Sequence, residues 1–229
     1  MRSAPSRMSW RTPAGTTRLL EFGYLLRPPG AGFRTAPQPT PGERRTLALS
    51  FARAVHWFHT SGIVLDDISH ANVLWTLGPE PGVHFLDCDG FGFAGGPATQ
   101  PRAETPDWTD PRTPHTHGAD IDSDAYKTAL AIGRIVSQDP YVVPGQPLEP
   151  VAGCLDDRYA ATVRRPFAEA AGERGTRPPA RKWCDALHGD TLTPPDAGQP
   201  PLARRLTARS RTGSGTGSRS TCGGRAGGA

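Results

Sequence analysis

A chain of 229 residues has room for one main domain with tails, and 27 Gly and 25 Pro against 36% hydrophobic residues let part of it bury a core and part not. No apolar run approaches the roughly 18 residues of a membrane span, and the N-terminal MRSAPSRMSWRTPAG lacks the apolar centre of a secretory signal; four Cys without a CxxC disfavour a zinc site or a disulfide scaffold and point to a reducing, cytoplasmic setting. The formal net charge of +4 belongs to the tail, because residues 197–229 carry six Arg and no acid, leaving 20 bases against 22 acids in residues 1–196.

Residues 1–16 are Ser, Arg, Pro and Gly without periodicity and read as disordered. Residues 17–26 (TRLLEFGYLL) are predicted to form a strand or two. Residues 27–42 hold five Pro and three Gly and must be loop. The first strong helix follows. Thr40 and Glu43 have capping-box spacing, with Pro41 at the first helical position. Leu47, Phe51, Ala54, Val55 and Phe58 recur on one face, and Gly62 suits the end of that helix. A short strand at 63–65, a polar loop at 66–72 and two strands at 73–75 and 83–86 come next, the last two joined by a Gly/Pro turn as a hairpin. Residues 90–121 read as a long loop. A second helix starts near Ser123, with Tyr126, Ala129, Leu130, Gly133 and Val136 on one stripe. A third is predicted over 157–172, and a fourth over 179–188 places Ala180, Trp183, Cys184 and Leu187 on one face. Residues 190–229 are an Arg/Gly/Pro/Ser-rich tail that cannot bury enough apolar surface to offset ordering entropy. The tail has no interleaved aromatics, so it reads as a solvated segment rather than a nucleic-acid binder.

Three side chains stand out by spacing: Asp67, Asn72 and Asp87. Asp67 opens the polar loop, Asn72 leads into the first hairpin strand, and Asp87 follows the second. A hairpin brings the loop and the far strand end together, so three oxygen-bearing groups should converge. Two carboxylates and an amide are hard ligands suited to Mg²⁺, which shares its shell with phosphate. A carboxylate beside them can orient a hydroxyl for in-line attack on a phosphoryl group.

The order D-x4-N, then two apolar residues and Asp, resembles the catalytic half of the protein-kinase-like superfamily, whose signatures are H-R-D-x4-N and D-F-G. The resemblance spans roughly 17–189 and implies an α+β fold, mainly the helical C-lobe of a divergent bacterial Ser/Thr kinase-like protein, with the N-lobe truncated. It implies that Asp67 is the catalytic-loop carboxylate, and that Asn72 and Asp87 hold Mg²⁺ with ATP. LALSFARAVHWFHTSGIV looks like the long helix before that loop. DSDAYKTALAIGRIV looks like the helix whose opening Asp, here Asp124, braces the loop backbone. RPPARKWCDAL looks like the final helix with its Arg, here Arg177, and LLEFGYLLRPP like the last small-lobe strand and hinge.

The departures are equally specific. Leu65 and Asp66 replace His and Arg, Ser69 replaces the usual Lys, and Cys88-Asp89 replace Phe-Gly. Arg112 falls where the family has a Glu that would pair with Arg177, and so should oppose it. Fewer residues precede the core helix than a full small lobe needs, and no Lys occurs before Lys127. Three readings follow: a kinase using Mg-ATP on protein Ser/Thr hydroxyls, a small-molecule kinase of the aminoglycoside or choline type, or a non-catalytic pseudokinase binding module. Other features read blandly. Gly90–Gly95 match GxGxxG, but Pro97 and Pro101 argue against the following helix that a dinucleotide site requires. His115, His117, Asp120, Asp122 and Asp124 fit a solvated loop better than a metal cluster. His56 and His59 read as surface or packing residues, and Trp108 and Trp183 as packing anchors.

Overall fold

The computed structural model describes residues 19–26, 38–77, 81–96, 105–113 and 118–188, with the side chains of Tyr24 and Arg158 excepted. The disordered segments expected at 1–16 and 190–229, most of the 27–42 loop, His115 and His117 lie outside the described residues. Within them the protein is α+β, with four longer helices, one single-turn helix and two small antiparallel sheets.

The long helix forms where the cap and the periodicity place it. Helix α2 (Pro41–Thr60) is preceded by Thr40, whose hydroxyl accepts from the Glu43 N–H while the Glu43 carboxylate accepts from the Thr40 N–H at 2.7 Å. Two backbone donors that the first turn leaves orphaned are thereby satisfied. Gly62 closes the other end at φ +73°, a conformation that costs glycine little. Leu47, Phe51 and Val55 are buried on one face as expected, whereas Ala54 and Phe58 are only half-buried. Arg44 lies on the same buried face and donates to the Leu25 carbonyl at 2.7 Å and the Ile135 carbonyl at 3.1 Å.

Helix α3 (Ile121–Ser137) is the most buried of the described helices. The apolar stripe expected of it is too narrow a description, since every residue from Ser123 to Val136 is buried. A helix surrounded by protein has no polar face to solvate, so its charged side chains must find partners inside. Arg134 does so by donating to the Asp107 carbonyl at 2.8 Å, with its guanidinium 4.7 Å above the Trp108 ring. Helices α4 (Asp157–Glu169) and α5 (Ala180–His188) complete the bundle. Helix α4 ends before the expected residue 172 and packs on α3, where Phe167 meets Gly133. Helix α5 packs on α2, and Arg45 donates to the Leu187 carbonyl at 2.9 Å. None of the described helices is long and apolar enough to cross a membrane.

The hairpin is present: β3 (Val73–Thr76) pairs antiparallel with β4 (Gly82–Phe85), Val73 opposite Phe85. Its free edge is taken by β1 (Leu20–Glu21). Among the described residues of the strand expected over 17–26, only those two are strand, because α1 (Phe22–Leu26) turns the chain inward and buries Phe22, Leu25 and Leu26. The long loop expected at 90–121 contains β5 (Gly92–Phe93), which pairs antiparallel with β2 (Ile63–Val64).

Candidate active site

The polar loop between β2 and β3 is held from three directions. Leu65 ends the strand direction, and Asp66 then adopts φ +60°, a left-handed conformation uncommon outside glycine. The Asp67 N–H folds back onto the Leu65 carbonyl at 2.8 Å. Five residues on, Asn72 Nδ2 donates to the Asp67 carboxylate at 2.7 Å and to the Asp67 carbonyl at 3.1 Å. One amide therefore fixes both the carboxylate and the backbone of Asp67. Ile68 and Ser69, between them, are buried. The Thr105 hydroxyl donates to Asp67 Oδ1 at 3.2 Å, which brings the 105–113 segment against the loop. Trp108 Nε1–H donates to His70 Nδ1 at 2.9 Å on the same side.

The third direction is from α3 below. The Asp124 carboxylate accepts from the Leu65 N–H at 2.7 Å and the Asp66 N–H at 3.1 Å, and lies 3.1 Å from His59 Nε2. Its side chain is fully buried, and these backbone and imidazole contacts supply its hydrogen bonds in place of water. Lys127, one turn further along α3, donates from Nζ to the Asp66 carbonyl at 2.6 Å.

Asp87 comes to the loop through the sheet. The Leu86 N–H donates to the Asn72 carbonyl at 2.8 Å, extending the β3–β4 ladder by one bond. Asp87 follows at φ +52°, exposed, opening a single 3₁₀ turn (Cys88–Gly90) that its side chain does not cap. Asp67 and Asn72 are thus joined side chain to side chain, while Asp87 is tied to Asn72 by backbone alone. The donor chemistry fits a hard dication: Asn72 spends its amide nitrogen on Asp67 and keeps Oδ1, and Asp87 offers carboxylate oxygens. Among the described residues no three His, Cys, Asp or Glu side chains cluster as a metal site. A Mg²⁺ here would draw on Asn72, Asp87 and oxygens brought by its phosphate ligand.

Arg177 has a different partner from the one its motif position implies. Its guanidinium meets Asp110 at 2.6 and 2.8 Å, and Asp122 at 3.1 Å. Arg112 points away and pairs with Glu173 at 3.2 Å on the surface, so it does not oppose Arg177. Burial pushes the Asp110 carboxyl upward, but hydrogen bonds from Arg177, Thr113 and the Arg112 N–H outweigh it and hold Asp110 below the ordinary carboxylate range. Of the acids weighed as a metal cluster, Asp120 caps α3, Asp122 faces Arg174 and Arg177, and Asp124 braces the loop. The Gly90–Gly95 run forms the end of the 3₁₀ turn and β5.

His59 and Lys127 were not visible as site residues in the sequence. Their contacts span more than 60 residues, and neither periodicity nor spacing encodes them. Trp108 and Trp183 are buried, as anchors should be. The chain matches no protein-family model and no curated protein.

Proposed function

We propose that this chain is the helical, acceptor-side part of a protein-kinase-like phosphotransferase that uses Mg-ATP to phosphorylate Ser/Thr hydroxyls. One observation carries the reading: the Asp67 carboxylate and Asn72 amide are locked together at 2.7 Å, on a loop whose backbone is pinned by Asp124 from helix α3. In this reading Asp67 orients the acceptor hydroxyl and receives its proton. Asn72 Oδ1 and Asp87 hold the dication, which when bound neutralises charge on the transferring phosphoryl group. Asp124 and the His59 ring beside it keep the loop backbone in place, and Arg177 with Asp110 ties the 105–113 segment to the domain.

A second reading, a pseudokinase-like binding module, is favoured by one observation. The chain has only two Lys, and both are engaged: Lys127 with the Asp66 carbonyl and Lys182 with Glu169 at 2.7 Å. Lys127 is shut off from solvent, and Lys182 is half-exposed on α5. The two readings separate on turnover. With Mg-ATP and casein as acceptor, Asp67→Asn should lower phosphoryl transfer by about 10²-fold or more, within the range general-base catalysis supplies. An unchanged rate in Asp67→Asn removes Asp67 from the chemistry, whereas no turnover by the unaltered chain leaves the binding-module reading.

A further inference from the structure

We propose that Lys127 is a positioning residue for Asp67, acting through the left-handed peptide at Asp66; the proposal rests on the phosphotransfer reading above. Lys127 is completely buried. Taking an ammonium out of water is expensive unless it is paired, and Lys127 donates to the Asp66 carbonyl at 2.6 Å. The same residue's N–H is held by Asp124 Oδ1 at 3.1 Å. Asp124 and Lys127 stand three residues apart on α3 and so share a face of that helix. An acid and a base on the most buried helix thus grip the two polar groups of one residue.

The gripped residue is the strained one. Asp66 has φ +60°, and a non-glycine residue persists there only where its surroundings determine it. It directly precedes Asp67, so a relaxation at Asp66 swings the Asp67 Cα–Cβ direction and breaks the alignment with Asn72 and Thr105. Replacing the lysine alone by an apolar side chain of similar length fills the space but leaves the Asp66 carbonyl without this donor, so the positioning role is separated from a loss of stability by where amide exchange quickens. What a methionine cannot do is hold the carbonyl.

The test uses the full chain with Mg-ATP and casein, comparing Lys127→Met, Lys127→Gln, Lys127→Arg and Asp67→Asn, with amide hydrogen exchange measured on each. Lys127→Met should lower kcat roughly 10–100-fold, as small misplacements of a reacting group do, while leaving KM for Mg-ATP within about twofold. Exchange at Asp66 and Asp67 should quicken while the α3 amides keep their protection; a general loss of stability would speed all of them together. Lys127→Gln and Lys127→Arg, which retain a donor, should fall between Lys127→Met and the unaltered chain. If Lys127→Met does not fold, Lys127→Gln carries the comparison. Normal kcat in the Lys127 variant with an inactive Asp67→Asn overturns the role of Lys127 and leaves phosphotransfer standing. No turnover by the unaltered chain overturns phosphotransfer and the positioning role with it; equal turnover by Asp67→Asn overturns the role of Asp67 and with it the positioning role of Lys127.

Discussion

Arg177 and Asp110 face each other through two parallel hydrogen bonds, Nη1 to Oδ2 at 2.6 Å and Nη2 to Oδ1 at 2.8 Å, with both side chains shut off from solvent. Sixty-seven residues of sequence separate them. The pair fastens the segment carrying Thr105 and Trp108 to the stretch just before α5, and the Arg177 guanidinium also stacks 5.2 Å from the Tyr126 ring on α3.

Breaking that pair should be costly and pH-dependent. Asp110→Asn takes the bidentate counter-charge from a buried guanidinium and leaves it the Asp122 carboxylate at 3.1 Å, so the loss should approach but not exceed the roughly 3–5 kcal/mol of a fully broken buried pair. In the unfolded chain Asp110 titrates near 3.9; in the folded chain it titrates lower. The unfolded state therefore takes up the proton first as pH falls. The contribution of the pair is complete above about pH 4 and is lost as pH drops through the folded value. Urea midpoints between pH 2 and 7 should show this acid loss in the unaltered chain and a flatter profile in Asp110→Asn.

Gly133 should resist a substitution that helix propensity favours. Replacing Gly by Ala inside a helix normally stabilises it by up to about 1 kcal/mol. Here a Cβ at Gly133 would lie 2.3 Å from Phe167 Cε2 and 3.0 Å from Cδ2, and the Phe167 ring is fully buried with little room to move. Gly133→Ala should therefore destabilise by roughly 1–3 kcal/mol, the usual range for overpacking. Pairing it with Phe167→Leu should recover part of the loss. Thermal melts of the two variants decide the sign.

How much of this was legible in the sequence depends on the range of each interaction. The Thr40–Glu43 box, the buried face of α2, the β3–β4 hairpin and the apolar face of α5 follow from neighbours within a few residues, and they could be read. The one-turn helix α1 could not, because an apolar LLEFGYLL run suits a strand equally well and only its burial decides. The two-residue strand β5 is too short to carry a period. Counting along a motif placed Arg112 opposite Arg177, but space places Asp110 there. Asp67, Asn72, Asp87 and Asp124 were nameable from their order. His59 and Lys127, which complete the support of the Asp67 loop, were not, because nothing local to either announces a partner on another element.

Thiol reactivity offers a simple check on burial. Cys88 is exposed in the 3₁₀ turn beside Asp87, while Cys154 and Cys184 are buried, and that burial pushes both thiols up to about 11. In a Cys222→Ser background, iodoacetamide at pH 8 should add one group to the native chain, at Cys88, and two more only in denaturant. Mass spectrometry reads the count. Equal labelling rates at all three would contradict the packing of α5 against α2.

The central claim is that Asn72 and Asp87 form one half of a dication site completed by a nucleotide's phosphates. A thermal-shift titration of the full chain with ATP, with and without Mg²⁺, tests it most directly, because a ligand that binds only the native state must raise its melting point. Saturating Mg-ATP should raise the midpoint by several degrees, about 2.7 kcal/mol at a hundredfold excess over Kd. ATP with a chelator should give little shift, and Asp87→Ala should remove the Mg²⁺-dependent part. An equal shift with and without Mg²⁺, or an unchanged shift in Asp87→Ala, would contradict the claim.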